Sequence, residues 1–399
     1  MSGGTRSGAG SRRFALIGPS APFRGGIAEY HDRLAGALAT AGHAVQRISY
    51  RRLYPAILFP GRTQYVDPSV VGAADAARAS LPPPEALLDS VGPGSWLAVA
   101  RRAAAADAAI VEWWHPFFAP ALAVITSLLR RRGVPSIFVC HNLEPHEPMP
   151  GGAWLAARAL GRAAAFVAQS ERDAARLRAA HPGRPTAIVL PPAVAPPPCP
   201  HGGGRAACAA ALGLPAAPRR LLFFGYVREY KGLPTLFEAL PRLDADVQLV
   251  VAGEIYHHDA AYYRQLAARL GVGARVVLLD RFLAASEVAC CFRASDLVVL
   301  PYWEASQSAV VPLAMASGRA VVATRVGGLP DLVRDGVTGL LVPPRDPAAL
   351  AAAVVDALAA GEAMGRAACA AAARLDWRAA ADAITDLATT AICGPAGAC

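Results

Sequence analysis

Short apolar segments alternate with amphipathic segments along almost the whole chain, and this alternation restricts the fold more than any other feature of the sequence. Buried parallel strands appear as short apolar runs, and helices connect them. In the first half, apolar runs predict strands at residues 14–17, 45–50, 108–111, 136–139, 165–168 and 187–190. Helices are predicted between them, for example at 29–41, 120–132 and 171–180. We therefore expect a doubly wound parallel sheet in this half.

The second half of the chain repeats the same order. Strands are predicted at 221–224, 247–252, 276–279, 297–300, 320–323 and 339–342, with helices at about 232–241, 259–271, 285–294, 308–317 and 346–360. The stretch between the halves, LPPAVAPPPCPHGGG, has the composition of a linker. The predicted fold class is α/β, with two doubly wound, Rossmann-like domains that face a cleft.

These patterns also set the expected domain limits. We expect an unstructured basic tail at 1–13, an N-terminal domain at 14–195, a linker at 196–205 and a C-terminal domain at 206–375. A terminal helix within 376–399 is expected to pack back on the N-terminal domain. Residues 51–95 are aromatic, basic and proline-rich, and we expect a long loop that is either functional or disordered.

The formal net charge is +9, and nearly all of the positive charge is arginine. Three explanations stay open: a GC-rich genome that favours Ala, Arg and Pro, an anionic membrane surface, and nucleic acid, for which no motif appears. The eight cysteines are scattered without a Cys-x-x-Cys pair, so we expect cytosolic thiols rather than disulfides or a metal site. No apolar run reaches about 18 residues, so no membrane-spanning helix is expected.

The segment FFGYVREYKG, residues 223–232, is typical of an anion-binding turn. A predicted strand ends at Gly225, the cations Arg228 and Lys231 follow, and Gly232 opens a helix. Cations beside a helix N-terminus favour the oxygens of a diphosphate. Two solvated surface cations would also be consistent with this sequence. However, the position of Arg228 and Lys231 between a predicted strand and a predicted helix favours the diphosphate site.

Further glycine-rich turns follow other predicted strands. Gly25 and Gly26 stand directly before a helix, where the backbone can approach a phosphate or a sugar closely. Their spacing is not that of the GxGxxG dinucleotide fingerprint, and a plain tight turn would look the same. Gly253 and Glu254 end VVAGE, and TRVGGLPDLV spans 324–333. Each of these is either a ligand-contacting loop or an ordinary turn.

Two histidines also follow predicted strands, His115 in VEWWHPFF and His141 in VCHNLEPHE. Two histidines at the strand ends of one sheet indicate a polar active site, although a single histidine is more often structural. Serine-hydrolase chemistry is disfavoured because no GxSxG elbow is present. A metal site of His141, His146 and Glu147 would lack a known ligand spacing, so we expect no metal.

The stretch PYWEASQSAVVPLAMASG, residues 301–318, predicts a strand-end loop followed by a helix from about Ser308 to Ala316. Glu304 lies in the loop, and the helix contains no acidic residue. The polar run at 305–308 still offers hydroxyl and N–H groups to an anionic ligand.

Taken together, these motifs resemble the family 4 glycosyltransferases, which have the GT-B fold, over nearly all of residues 14–390. The segments that carry the resemblance are GPSAPFRGGIAEYHDRLA, WWHPFF, CHNLEPHE, FFGYVREYKGL, and VVATRVGGLPDLV followed by DGVTGLLVPPRDPAAL. The resemblance implies a nucleotide-diphosphate sugar donor held by the second domain and an acceptor held by the first. It also implies transfer with retention of the anomeric configuration, and no metal or other cofactor.

The resemblance implies roles for individual residues. His141, Arg228 and Lys231 are implied to be catalytic, with Lys231 matching the diphosphate lysine of the family. The implied donor-side residues are Gly25, Gly26, Gly225, Gly253, Glu254, Arg281, Phe282, Glu304, Ser306, Gln307, Ser308 and Ala309, and the implied acceptor-side residues are His115, Trp114 and Tyr65.

The sequence departs from the family pattern at two places. The family's usual arginine directly after the strand glycine is Tyr226 here, and we expect Arg228 to substitute for it. The family's paired glutamates align with Ala305 and Leu313, and neither side chain can accept hydrogen bonds from ribose hydroxyls. Either ribose recognition is rerouted, or the protein is catalytically weak.

The resemblance implies a cytoplasmic enzyme of cell-envelope or exopolysaccharide synthesis with a saccharide or lipid-linked acceptor. The loop 51–66 and the aromatics at 113–118, together with nearby arginines, are expected to rest on the inner face of an anionic membrane. Two alternatives stay open. A non-catalytic sugar-nucleotide-binding subunit would explain the missing carboxylates, and an epimerase or hydrolase on the same fold would need more of them in the cleft.

Overall fold

The computed structural model describes residues 10–55, 63–66, 81–144, 149–194, 199, 204–256 and 258–393. These residues form two parallel sheets. The first has seven strands: β1 (Arg13–Ile17), β2 (Ala44–Arg52), β3 (Glu85–Asp89), β4 (Ala108–Trp113), β5 (Ser136–Cys140), β6 (Ala165–Ala168) and β7 (Thr186–Ile188). The described helices that accompany it are α1 (Gly26–Thr40), α2 (Pro93–Ala103), α3 (Ala119–Arg130), α4 (Gly152–Leu160) and α5 (Glu171–Ala180).

Both faces of the first sheet are buried. Phe14 and Leu16 of β1 pack in an apolar cluster on one face, and Ala15 and Ile17 pack in a second cluster on the other. Successive side chains of a strand point to opposite faces, so a strand buried on both sides must be apolar throughout. This is why its strands appear in the sequence as continuous apolar runs.

The second sheet has six strands: β8 (Arg219–Phe224), β9 (Val247–Ala252), β10 (Val276–Leu279), β11 (Leu297–Leu300), β12 (Ala320–Thr324) and β13 (Gly339–Val342). Its helices are α6 (Arg205–Ala211), α7 (Leu233–Ala239), α8 (Ala260–Arg269), α9 (Ala285–Ala294), α10 (Val310–Ala316), α11 (Leu329–Leu332) and α12 (Pro347–Ala372), followed by α13 (Trp377–Cys393). Its order, β10-β9-β8-β11-β12-β13, repeats the first six positions of the order β3-β2-β1-β4-β5-β6-β7 in the first sheet.

The last two helices belong to different halves of the molecule. Helix α12 packs against β12, β13 and α10, whereas α13 packs against α1, β5, β6 and β7. The ring of Trp377, at the start of α13, lies 5.0 Å from that of Tyr30 in α1. By length and composition alone, the segment Pro347–Cys393 would be long and apolar enough to cross a membrane, which the sequence did not lead us to expect. In this structure 39% of the apolar window is buried, and α12 packs against β12 and β13.

The expectation of a long loop at residues 51–95 needs correction. Strand β3 adds to the edge of the first sheet beside β2, and α2 begins shortly after it. The strand was hard to recognise because only Leu88 and Asp89 of EALLD are buried, so its apolar pattern is weak. β1 begins at Arg13, inside the range predicted as a tail, and residues 1–9 of that range lie outside the described residues.

The expectation that all cysteines are thiols is wrong for Cys393, which is disulfide-bonded. Cys140, Cys208, Cys290, Cys291 and Cys369 are free thiols. The sequence showed no Cys-x-x-Cys pair, and spacing alone says little about which cysteines meet near a chain end.

Candidate active site

The strand orders indicate which four loops are expected to line a ligand site. In doubly wound sheets, ligands bind beyond the carboxyl ends of the strands at the point where the strand order reverses. In the first sheet this point lies between β1 and β4, and in the second between β8 and β11. The loops that follow these strands, at 18–25, 114–118, 225–232 and 301–309, contain most of the motifs found in the sequence.

Lys231 is the only lysine among the 39 basic residues of the chain. It ends the loop after β8, and its Nζ lies 5.5 Å from the centre of the buried Tyr302 ring. Burial, and secondarily the charge of Arg228, lowers the pKa of Lys231 to about 7. A site that disfavours its own cation becomes favourable when an anion binds, so Lys231 and Arg228 together indicate an anion site.

Two glycines bring the loops after β8 and β9 into direct contact. Gly225 and Gly253 both have positive φ, of 95° and 142°, and a side chain at Gly253 would collide with the carbonyl of Gly225. A hydrogen bond of 2.8 Å from the N–H of Val227 to the carbonyl of Glu254 joins the same loops. The loop that carries Arg228 and Lys231 therefore packs directly against the loop that carries Glu254.

The loop after β11 is held by the glycine-rich turn that follows β12. A side chain at Gly327 would collide with the carbonyl of Ala305, and the N–H of Gly328 donates to the carbonyl of Ser306 at 2.9 Å. The sequence TRVGG thus serves to fix the turn at 305–306.

The polar residues of the loop at 301–309 differ in exposure. Glu304 and Ala309 are exposed, Ser306 and Gln307 are half-buried, and Ser308 is buried. The Oε1 atom of Gln307 is a buried acceptor without a hydrogen-bond partner among the described residues. It is therefore an acceptor that a ligand hydroxyl could satisfy.

Helix α10 begins at Val310, two residues later than the sequence predicted. The hydroxyl of Ser308 accepts a hydrogen bond of 3.3 Å from the N–H of Val310, which keeps Ser308 outside the helix. Leu313, at the position where the family pattern has a glutamate, packs against the apolar core of the C-terminal domain. Both α7 and α10 have seven residues, so an anion at this place would depend on side chains more than on helix dipoles.

His141 lies buried at the end of β5, and the side-chain nitrogen of Gln169 lies 3.1 Å from its Nδ1. Burial lowers the pKa of His141 to about 4, so the ring is neutral near pH 7. With the Gln169 amide as donor, Nδ1 accepts and Nε2 carries the proton. The Nε2 atom has no hydrogen-bond partner among the described residues, which leaves a buried donor available to a ligand.

A second buried polar pair, not predicted from the sequence, lies beside the first turn. The Nδ1 of His31 and the Oε1 of Glu112 are 3.5 Å apart and fully buried. Burial raises the pKa of Glu112 to about 7, although His31 opposes the shift. A carboxylate within the apolar run AAIVEWW was the one sign of this pair in the sequence, because a charge buried in a central strand is costly unless it has a partner. His31 sits within a helix, where nothing in the pattern distinguishes it.

A buried network shapes the turn that leads to Gly25 and Gly26. Asp32 of α1 accepts hydrogen bonds from the Ser20 hydroxyl and from the N–H of Ala21 and pairs with Arg47 at 2.9 Å. The turn is therefore anchored to both α1 and β2.

Arg24, which precedes Gly25, was not predicted as a site residue, yet it reaches across to the C-terminal domain. Its Nη1 lies 2.9 Å from the Oε2 of Glu254, and its Nη2 donates to the hydroxyl of Tyr256 at 2.9 Å. The two domains also meet where the N–H of Glu171 donates to Asp331 at 2.8 Å. The sequence-predicted turns of both domains are thus brought together in one place.

The predicted acceptor-side residues behave differently from one another. His115 caps a short 3-10 turn by accepting from the N–H of Phe117 at 3.1 Å. Trp114 is buried, donates to the hydroxyl of Tyr54 at 3.2 Å, and packs at 4.2 Å against Phe118. Most of the aromatics at 113–118 therefore pack against one another and stabilise the core. The expectation that they rest on a membrane needs correction, because rings buried in this way are not available to a bilayer.

Three further predicted residues lie at the edge of the site. Tyr65 is exposed and stacks on Phe23 with ring centres 5.2 Å apart. Phe282 is partly exposed and lies under the guanidinium of Arg24 at 5.7 Å. Arg281 forms a two-pronged ion pair with Glu287, whose carboxylate also accepts from the N–H of Ala284 at the start of α9.

Among the described residues, one group has the composition of a metal site. The sulfurs of Cys199, Cys208 and Cys290 lie within 4.8 Å of one another, with separations of 2.8 and 3.2 Å from Cys199 to the other two. Tetrahedral zinc–thiolate sites need sulfurs about 3.8 Å apart, given Zn–S bonds of about 2.3 Å. The cluster is too tight for zinc as it stands. The earlier candidates His146 and Glu147 lie outside the described residues.

Comparison with known families identifies the family of the chain. The family model described as "Glycosyl transferase 4-like domain" matches residues 25–193, and the one described as "Glycosyl transferases group 1" matches residues 218–360. The chain belongs to the family 4 glycosyltransferases. The two matches contain Gly25, His141 and Lys231, and in the structure they correspond to the two domains of a GT-B fold.

Curated relatives match part of this glycosyltransferase. The D-inositol 3-phosphate glycosyltransferase of Mycolicibacterium vanbaalenii is 35% identical over 232 residues, which is 55% of this chain and 49% of the relative. That of Mycobacterium tuberculosis strain H37Ra is 37% identical over 173 residues, 43% of this chain and 33% of the relative. The matched part thus spans half or less of the length of these relatives.

Solved structures share the fold over nearly the whole chain. Sucrose-phosphate synthase from Thermosynechococcus elongatus superposes with a TM-score of 0.70 and 22% identity, covering 94% of this chain and 98% of that one. HepE from Anabaena, in complex with UDP-glucose, gives a TM-score of 0.71 and 19% identity, again covering 94% and 98%. At these identities the likeness shows the two-domain GT-B fold.

Proposed function

We propose that this protein is a retaining glycosyltransferase that moves a sugar from a nucleotide-diphosphate sugar to a saccharide or lipid-linked acceptor. The observation that carries the proposal is Lys231, which is held at the end of β8 with its pKa lowered to about 7 by burial. Burial disfavours the charged form of Lys231, an anion bound beside it would offset that cost, and Arg228 adds a second positive charge. Two cations match the charge of a diphosphate, and HepE, a protein of the same fold, was solved with UDP-glucose.

The proposed chemistry exchanges one bond for another at the anomeric carbon of the donor sugar. The bond from this carbon to the diphosphate oxygen breaks, and a bond to the acceptor hydroxyl oxygen forms on the same face. The hydroxyl proton passes to the leaving diphosphate. Arg228 and Lys231 stabilise the charge that develops on the leaving oxygen, which is electrostatic catalysis that needs no metal ion.

The neutral His141 suits a hydrogen-bonding role toward the donor sugar. Its pKa of about 4 keeps it uncharged, and its buried Nε2–H has no acceptor among the described residues. A sugar oxygen would satisfy this donor, whereas an imidazolium would oppose the positive charge that forms at the reacting carbon. We therefore assign His141 to substrate orientation rather than to nucleophilic attack.

Ribose and sugar hydroxyls need an acceptor in place of the missing glutamates. We propose that Gln307 supplies it, since its Oε1 is buried and unpaired among the described residues. Ser306 and the exposed Glu304 lie in the same turn. An amide is a weaker acceptor than a carboxylate, so we expect weaker ribose binding than a glutamate would give.

We place the reaction in cell-envelope or exopolysaccharide synthesis, in the cytoplasm or on the inner face of the membrane. This part of the proposal rests on the family and on the net charge of +9, which favours an anionic surface. Tyr65, exposed on the N-terminal domain, is the predicted acceptor-side residue best placed to meet an acceptor.

The test is a transfer assay with purified full-length protein. UDP-, GDP- and dTDP-sugars are offered with lipid-linked and free saccharide acceptors, and the product's anomeric configuration is read by NMR. We expect a retained configuration, turnover that survives EDTA, and a loss of at least a hundredfold in Lys231→Ala. Arg366→Ala, which removes an exposed i,i+4 pair with Glu362, serves as the control. Normal transfer by Lys231→Ala would rule out the assigned site.

One observation favours a second candidate, a subunit that binds sugar nucleotides without transferring sugar. Leu313 packs into the core at the place where the family has a glutamate. Calorimetric binding of a nucleotide sugar, with neither transfer nor hydrolysis across the donor and acceptor panel, would support this candidate. Release of free or epimerised sugar without acceptor would instead indicate a hydrolase or an epimerase.

A further inference from the structure

A charged side chain of the N-terminal domain is buried against the C-terminal domain. The side chains of Arg24 and Glu254 are only 5% and 8% exposed, and their charged atoms are 2.9 Å apart. Arg24 also donates to the hydroxyl of Tyr256 at 2.9 Å. Glu254 and Tyr256 follow β9, so a single guanidinium holds two positions of one donor-side loop.

Aromatic rings surround the rest of this guanidinium. Its central carbon lies 6.0 Å from the ring of Tyr226 and 5.7 Å from that of Phe282. Rings at such distances attract a cation and keep water away from it. Arg228 lies 5.1 Å from the ring of Tyr256, so the loop that carries the diphosphate cations belongs to the same assembly.

This arrangement makes the ion pair dependent on domain closure. Separating the domains would expose both charges to water, whereas removing one partner with the domains closed would leave the other charge buried and unpaired. Removing a single partner of a buried ion pair is the most destabilising change, because the remaining charge stays buried without a counterion. The pair therefore couples the position of the Gly25 turn to the position of the loop after β9.

We propose that Arg24 is a positioning residue that clasps the two halves of the donor site through Glu254 and Tyr256. This inference deepens the proposed function, on which its catalytic part rests. The clasp holds the Gly25–Gly26 turn of one domain against the loops that carry Arg228 and Lys231 in the other. It also places a positive charge beside Tyr226, the position where the family pattern has an arginine on the C-terminal domain itself.

The first test is a double-mutant cycle on Arg24→Ala and Glu254→Ala in the full-length protein. We expect each single variant to lower kcat/KM for the donor by at least tenfold, mainly through the donor KM. The double variant should be no worse than the worse single variant, because it leaves no unpaired buried charge. Losses that simply multiply would overturn the clasp, as would a normal donor KM in Arg24→Ala. Arg366→Ala is again the surface control.

The second test measures closure without turnover, so it separates this inference from the proposed function. Small-angle X-ray scattering should give a larger radius of gyration for Arg24→Ala than for the wild type, with and without the nucleoside diphosphate that binds. An unchanged radius would overturn the clasp even if the protein is an active transferase. A larger radius in a protein that transfers no sugar would uphold the clasp and reject the proposed function.

A milder variant covers the case in which Arg24→Ala does not fold. Tyr256→Phe removes one hydrogen bond and keeps the ring that both arginines contact. We expect a threefold to tenfold loss in donor kcat/KM with kcat nearly unchanged. An effect on kcat alone would contradict a positioning role.

Discussion

Because this chain has a single lysine, the protonation of Lys231 can be measured without interference from other lysines. Burial lowers the pKa of Lys231 from 10.5 to about 7, which corresponds to roughly 5 kcal/mol against the charged form. A bound diphosphate compensates this cost and raises the pKa again. Binding should therefore take up a proton at any pH above about 7, because the free protein then holds a neutral amine and the complex an ammonium.

The expected magnitudes follow from this linkage. At pH 8 about 0.9 proton should be taken up on binding, and at pH 6 about 0.1, provided that the pKa in the complex lies well above 9. The Kd of a nucleotide sugar, whose diphosphate is esterified at both ends and does not titrate near neutral pH, should be flat below pH 7 and should rise about tenfold per pH unit above it. Calorimetry in buffers of different ionisation enthalpy measures the proton uptake directly.

NMR gives an independent measurement of the same pKa. Protein labelled with ¹³C at lysine Cε should show one lysine resonance, since Lys231 is the only lysine. We expect its midpoint near pH 7 without ligand and above pH 9 with ligand. A ligand-free midpoint near 10.5, or uptake that is the same at pH 6 and pH 8, would refute the reasoning.

A substitution extends the argument to stability. The lowered pKa means that the unfolded chain holds a proton that the folded chain lacks between pH 7 and 10.5, so the burial of Lys231 destabilises the ligand-free protein at pH 7. Lys231→Met should therefore raise the unfolding free energy, by up to about 4 kcal/mol, while abolishing diphosphate binding. Lys231→Arg should bind without proton uptake if its larger head group fits, because arginine stays charged.

Three further predictions test other parts of the structure. Gly18→Ala should cost about 1–3 kcal/mol in urea unfolding, because the added carbon would lie 2.6 Å from the buried Glu112 carboxylate. Gly361→Ala, in open space on α12, should instead stabilise the protein by about 0.5–1 kcal/mol. Equal changes in unfolding free energy for the two variants would contradict the predicted clash at Gly18. Native alkylation should modify the exposed Cys369 first among the cysteines that the structure describes, as peptide mass spectrometry can check. His141→Gln should lower the transfer rate but leave the pH profile between pH 5 and 8 unchanged, since burial keeps the pKa of His141 near 4; a lost ionisation in that range would exclude the neutral role.

Most of the two-domain architecture could be predicted from the sequence. Strands buried on both faces must be apolar throughout, so β1, β4, β5 and the strands of the second sheet were recognisable one by one. Strand β3 was missed because an edge strand buries few side chains and leaves little pattern. Helix α10 begins two residues later than predicted, because the hydrogen bond of the Ser308 hydroxyl with the N–H of Val310 competes with the helix.

The candidate site divides in the same way. The turn chemistry of Gly25, Gly253 and Lys231 was visible locally, because glycine and lysine act through their own backbone freedom and charge. The ion pair of Arg24 with Glu254 joins positions far apart in the sequence, so no local sequence pattern could predict it.

By itself, the sequence determined that this chain forms two doubly wound sheets and where their ligand-facing turns begin. The tertiary structure alone decided which polar side chains are buried and next to which partner. It makes Lys231 a weakened cation, His141 a neutral donor and Trp114 a core residue rather than a surface one. The physical reason is that apolar periodicity is a property of neighbouring residues, whereas desolvation and charge pairing depend on which distant segments close around a group.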